Sequence, residues 1–229
     1  MTTTCAPLPE LGRAVTLPGV YAPQADSLLL ADAVRRERRV PGSDLLDVCT
    51  GSGALAVYAA RLGACVTAVD IGRRAVLTAR LNALLAARRV VVRRGDLLSA
   101  LPPDRTFDML ISNPPYVPSP AEFPPRRGRA RSWDAGWDGR AFVDRVCDAS
   151  PSALRTGGVL LMVHSALSAP ETTVRRLAAL GLVAEISDRA TVPFGPVLSA
   201  RLPWLRENGL VDDAAENQEE LVVIRAEKI

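Results

Sequence analysis

Residues 44–63 read DLLDVCTGSGALAVYAARLG, and this stretch decides the fold. The apolar run 45–48 is the length of a buried strand. Two glycines follow, Gly51 and Gly53, and then an apolar segment at helical spacing that stops near Gly63. Glycine lets the chain turn tightly with no Cβ in the way, and a helix starting at that turn presents free N–H groups to whatever lies above it. Strand, glycine turn and helix together predict one unit of a parallel α/β sheet with a binding loop at the strand's carboxyl end.

Working outward, the same rhythm repeats. CVTAVDI (65–71) reads as a second strand, RRAVLTARLNALLAA (73–87) as a helix, VVVRRGDLLS (90–99) as a third strand and TFDMLISNPPY (106–116) as a fourth. Upstream, SLLLADAVRRE (27–37) predicts a helix capped by Ser27 or Asp26. Downstream, the Pro-, Arg- and Gly-rich segment 117–137 predicts a long loop over the sheet's carboxyl edge. Helix 138–154 follows, with Asp138 as its cap. Gly157-Gly158 predicts a turn into a fifth strand, VLLMVHS (159–165). Helix 170–181 opens on Pro170, LVAEISDR (182–189) is a sixth strand and ELVVIRA (220–226) a seventh. The segment 190–218 is long for a connection and predicts one helix near 198–208. The expectation is an α/β, Rossmann-like, seven-stranded and mostly parallel sheet with helices on both faces. It forms a single domain over 1–229, with an N-terminal arm 1–25 and a lid or partner-contacting insertion 190–218.

Composition narrows the function classes. The chain has 229 residues, 48% of them hydrophobic, which suffices for one α/β core. A net charge of +3 does not by itself indicate nucleic-acid binding. Arginines cluster at Arg35–Arg39, Arg88–Arg94 and Arg126–Arg131; such runs are ordinarily solvated surface, and the third carries more weight because it follows NPPY. Cys5, Cys49, Cys65 and Cys147 are scattered without a CxxC pair, so neither a disulfide framework nor a zinc knuckle is expected. One histidine, His164, gives no metal centre and poor support for a Ser-His-Asp hydrolase. No apolar stretch approaches about 20 residues and the start lacks a secretion signal, so the expected compartment is the cytoplasm.

Four loops, at 49–53, 70–73, 95–98 and 112–116, are expected to meet at one sheet edge. Asp70 ends the second strand, where a carboxylate suits a ribose diol. Gly51-Ser52-Gly53-Ala54-Leu55-Ala56 leaves a nicotinamide dehydrogenase open, and an ordinary αβ turn explains the glycines taken alone. Asn113, read alone, is a turn starter before proline. With Asp47, Asp70 and Asp96 in register it reads as catalytic. His164, by contrast, has no acidic orienter and reads as structural.

Together DVCTGSG, VDI, GDLL and NPPY resemble a class I S-adenosylmethionine-dependent methyltransferase, of the amino-methylating branch marked by an (Asp/Asn/Ser)-Pro-Pro-(Tyr/Phe) loop. GVYAPQADSLLLADAV (19–34), NPPYV and AGWDGRAFVDRV (135–146) are similar to the short eukaryotic and archaeal-like protein glutamine methyltransferases that act on peptide-chain release factors. The resemblance implies S-adenosyl-L-methionine as cofactor and no metal. Asp47, Thr50, Gly51 and Gly53 would form the cofactor loop, and Asp70 would hold the ribose. Ile71 would lie against the adenine, with Asp96 on its amine and Leu97 as an apolar contact. Asn113, also beside the cofactor, and the Pro114 carbonyl would accept the target NH2, with Tyr116 against its planar group and 19–28 closing one side. The implied partners are a release factor as protein substrate, no membrane, and a small activating subunit or a homo-oligomer. A nucleic-acid amino-group methyltransferase and a small-molecule N-methyltransferase are the alternatives. The CTGSG lead, 126–131 and 190–218 depart from the family's pattern.

N-methylation suits these residues. An amide nitrogen is a poor nucleophile whose lone pair must be aimed, so the work is placement. Two acceptors fix the NH2 group and drain the positive charge that develops on it, and two prolines keep them still.

Overall fold

A computed structural model describes residues 11–12, 14–212 and 217–229. The outer part of the expected arm, including Cys5, and 213–216 of the expected insertion lie outside the described residues.

Seven strands form one sheet in the order β3-β2-β1-β4-β5-β7-β6. They are β1 (Asp44–Val48), β2 (Cys65–Asp70), β3 (Val90–Arg94), β4 (Phe107–Ser112), β5 (Leu154–Ser165), β6 (Leu182–Pro193) and β7 (Gln218–Lys228). All neighbouring pairs are parallel except those made by β7, which runs antiparallel to both β5 and β6. Helices α1 (Ala25–Arg36), α2 (Ala54–Arg61) and α3 (Arg73–Leu85) pack in succession on one face; α4 (Val143–Ala153) and α5 (Pro170–Ala179) pack together on the other. A last helix, α6 (Pro196–Glu207), lies between β6 and β7. Strands covered on both faces are apolar nearly throughout, which is why β1, β4 and β5 read as unbroken apolar runs: Leu45, Leu46, Met109, Leu110, Ile111, Leu160 and Leu161 are all buried.

The chain runs outward from β1 to β2 and β3, then returns to pair β4 on the other side of β1. That reversal opens a crevice above the carboxyl ends of β1 and β4.

Several boundaries differ from expectation. α1 begins at Ala25 with Gln24 at the N-cap position, so neither Asp26 nor Ser27 caps it; Asp26 lies inside the first turn. β3 ends at Arg94, because Gly95 packs against Ala100 and turns the chain into a short 3-10 helix, Leu97–Ala100. β5 starts at Leu154, and Gly157-Gly158 lies within the strand at a register shift opposite Phe107–Met109, where a Gly158 side chain would meet the Phe107 carbonyl. Asp138 accepts the Arg140 N–H at 3.0 Å in a turn before α4, which starts only at Val143 with Phe142 as its cap. Most of all, β6 and β7 are longer than read: they pair from Leu182↔Lys228 to Pro193↔Gln218, so the 190–218 segment supplies the ends of a hairpin, with α6 between them. The cause is β6's place at the sheet edge. Its burial alternates residue by residue, so it shows no apolar run.

Candidate active site

A cavity of about 950 Å³ occupies the crevice. Thr50, Gly51, Asp70, Ile71, Asp96, Leu97, Asn113, Pro114 and Tyr116 all line it, as do Gly19, Tyr21 and Asp26 from the segment before and inside α1. Asp47 and Gly53 are not among the residues that line it. Asp47 is fully buried beneath the loop, where its Oδ2 accepts the Thr50 hydroxyl at 2.5 Å. Burial pushes its carboxyl up to about 7 against the lowering effect of that bond. Gly53, at φ 76°, lies where a Cβ would stand 2.7 Å from the Ala79 side chain, so it is glycine to let α2 approach α3.

The loop itself is tightly wound. Cys49 (φ 59°) and Gly51 (φ 56°) are both left-handed, a conformation that disfavours a non-glycine side chain at Cys49. Asp70 ties two loops together: Oδ2 accepts the Gly51 N–H at 3.0 Å and Oδ1 the Gly72 N–H at 2.7 Å. Burial raises its carboxyl above the usual value, while the two N–H bonds and the nearby Arg131 oppose the rise. Each oxygen keeps a lone pair, so a diol fits there. Ile71 is an exposed apolar side chain beside it, and Leu97 is half-buried on the loop after the neighbouring strand, so the cavity has apolar lining there. Asp96 is half-exposed and pairs with Arg145 at 2.8 Å.

The NPPY loop is held from three directions. Asn113 Nδ2 donates to Asp26 Oδ2 at 2.9 Å and to Ser27 Oγ at 3.3 Å. The Tyr116 hydroxyl donates to the same Asp26 oxygen at 3.1 Å, and its carbonyl accepts the Ser168 hydroxyl at 2.8 Å. Gly139 packs directly under that carbonyl, where any side chain would collide. Buried Arg140 donates to the Ala169 carbonyl at 2.9 Å and pairs with Asp144 at 2.5 Å, fixing the corner that carries Ser168. Among the described residues, neither Asn113 Oδ1 nor the Pro114 carbonyl accepts a hydrogen bond. Tyr116 is only 8% exposed, so it meets the cavity with little of its ring.

His164 is fully buried outside the cavity. Its Nδ1 lies 2.9 Å from the Ser165 carbonyl, and burial pushes its pKa down to about 4. Trp133 lines the crevice. Trp137 meets Trp204 of α6 edge-on, with ring centroids 5.1 Å apart. Among the described residues no cluster could hold a metal, and no helix is long and apolar enough to cross a membrane. Sequence reasoning missed Asp26 as a site residue, along with Gly139 and Arg140. Asp26 stood in the 19–34 segment and Gly139-Arg140 in the AGWDGR segment, but nothing local ties either to NPPY.

This sheet order, with a loop crevice over β1 and β4, defines a Rossmann-like methyltransferase fold. The Methyltransferase small domain family matches residues 12–123. A Methanocaldococcus jannaschii protein, provisionally named a protein N5-glutamine methyltransferase, is 33% identical over 178 residues, 77% of this chain and 88% of that protein. The chain therefore belongs to the protein N5-glutamine methyltransferase family. A release factor glutamine methyltransferase of Rhodopirellula baltica is 36% identical over 139 residues, 56% of this chain, and the chain spans about half of it, 47%. The solved Mtq2-Trm112 complex of E. cuniculi, which methylates the eRF1 translation termination factor, has a chain that superposes with a TM-score of 0.65 at 23% identity, covering 92% of this chain and 99% of its own.

Proposed function

We propose that this chain transfers a methyl group from S-adenosyl-L-methionine to the side-chain amide of a glutamine in a peptide-chain release factor, in the cytoplasm. The observation that carries the reading is the pair of acceptors on adjacent residues of a braced loop at the crevice, Asn113 Oδ1 and the Pro114 carbonyl, neither of which accepts a hydrogen bond among the described residues. An NH2 group has two hydrogens for two such acceptors. The cofactor supplies an activated sulfonium methyl. The chain's own residues do the rest: Thr50, Gly51 and Asp70 hold the cofactor, with Ile71, Asp96 and Leu97 around its base. Asn113 and Pro114 hold the acceptor nitrogen and take up its developing charge, and Tyr116 backs its planar group. Asp47 and Gly53 act by shaping the loop.

A second reading has one observation in its favour. Arg126, Arg127, Arg129 and Arg131 line the same crevice, as a phosphate track would. Radiolabelled cofactor offered in turn to a release factor, ribosomal RNA, DNA and a metabolite extract separates the readings. Label confined to the release factor supports the first, and label in nucleic acid alone sinks it.

A small activating subunit belongs to the same proposal. Leu77, Leu84 and Leu85 on α3 and Val91 on the outermost strand β3 are exposed together. Arg88, Arg89, Arg93 and Arg94 lie at that edge, so a second copy of this chain would set like charges face to face, whereas an acidic partner would neutralise them. Light scattering that returned a dimer of the isolated chain would contradict this choice.

A further inference from the structure

We propose that Asp26 is a positioning residue that decides which end of the Asn113 amide faces the acceptor. The inference rests on the amide or amine acceptor of the preceding section, but it concerns this chain's own side chains. Asp26 is 2% exposed in the first turn of α1, and it reaches a loop 87 residues away in sequence. Its Oδ2 accepts three donors: the Tyr21 hydroxyl at 2.7 Å, Asn113 Nδ2 at 2.9 Å and the Tyr116 hydroxyl at 3.1 Å. Its Oδ1 accepts the Ser27 N–H at 2.5 Å.

A carboxylate oxygen accepts and does not donate, while an amide's two ends are nearly equal in shape and opposite in function. Against Asp26, Asn113 has to turn its NH2 inward, which leaves Oδ1 as the end offered to the crevice. With the amide reversed, a donor would confront the acceptor's own N–H, and the reaction would lose one of the two groups that take up charge. The tyrosines secure the arrangement. Burial and the neighbouring Asp26 hold the Tyr116 and Tyr21 hydroxyls above their usual range, so both stay protonated and both donate. Glu219, whose own carboxyl burial pushes up to about 7, adds to the rise at both hydroxyls. Asn113 carries the contact to the acceptor; Asp26 acts only through it.

The test is a cycle of variants on whichever acceptor the parent enzyme labels. If that acceptor is nucleic acid, the release-factor reading falls while the cycle still decides Asp26. Asp26→Asn offers Asn113 both a donor and an acceptor. Its kcat should fall about 10- to 100-fold, less than the roughly 100- to 1,000-fold of losing a charge-stabilising group outright, because the Asn113 amide still samples the productive orientation. Calorimetric affinity for S-adenosylmethionine should stay within about twofold, since Asp26 makes none of the contacts that wind the cofactor loop. Adding Asn113→Asp reverses the pairing: the residue at 26 now donates, and the carboxylate at 113 can only accept on both sides. The double variant should regain at least about tenfold in kcat over Asp26→Asn. A merely structural role for Asp26 predicts no such rescue. Parent-like kcat in Asp26→Asn, or a folded double variant no faster than it, overturns the proposal. Where Asp26→Asn does not fold, the double variant is compared with Asn113→Asp alone, in which two carboxylates face each other: faster supports the proposal, and equal or slower overturns it.

Discussion

The two halves of the crevice are built in different ways. On the cofactor side, Asp70 binds Gly51 and Gly72, backbone N–H groups of the turns that follow β1 and β2. These are short loops at strand ends, and their residue types follow from the turn. On the acceptor side, the NPPY loop is held by side chains from distant elements: Asp26 of α1, Ser168 before α5, and Gly139 beneath the Tyr116 carbonyl. The first half is a property of strand–loop–helix units. The second exists only once α1, β4 and the start of α5 have packed. The cofactor loops hang on one adjacent carboxylate that grips backbone N–H groups, so side-chain changes elsewhere in them are tolerated, whereas a loop held by several distant side chains weakens when any one of them is lost.

That contrast can be broken experimentally. Asn113→Ala should lower kcat by about 100- to 1,000-fold, the usual loss of one charge-stabilising group, with calorimetric cofactor affinity nearly unchanged. Parent-like turnover would end its catalytic assignment. Asp70→Ala should weaken cofactor binding roughly 10- to 100-fold, because it removes the diol's acceptors and the tie between two loops. Calorimetry returning the parent's affinity would exclude that role. Gly53→Ala should destabilise the fold by about 1–3 kcal/mol, through strain at positive φ and collision with Ala79. Its readout is urea unfolding, and an unchanged midpoint would show that α2 and α3 can separate at no cost.

The smallest effect is one of pH. Asp47 titrates near 7 in the fold because burial disfavours its charge. The folded state therefore holds that proton more tightly than the unfolded chain does. The stability linked to it is complete below about pH 4 and is lost as pH rises toward 7. Asp47→Asn removes this dependence, so its stability relative to the parent should climb between about pH 4 and pH 7 and level off above. His164, held down to about 4, acts in the opposite sense, costing stability as pH falls below about 6.5, and it cancels in the comparison. A difference curve flat with pH would show that Asp47 is not held protonated by burial.

What the sequence by itself determined is what local physics determines. The strand–turn–helix units between β1 and β4 were legible because buried parallel strands are apolar runs and their loops need glycine and polar ends. The site residues Thr50, Gly51, Asp70, Asp96 and Asn113 were legible for the same reason: each sits within a residue or two of a strand's carboxyl end. The edge strand β6 was cut short because alternating burial leaves no apolar run. Asp47 and Gly53 sat in the right motif, yet their burial beneath it depends on how α2 and α3 close over the loop. Asp26 read as a helix cap because a lone acid at a helix start carries no mark of its partner. Only the tertiary structure, by laying α1 against the end of β4, gave it Asn113, since a buried hydrogen bond between segments 87 residues apart is set by packing and not by either segment alone.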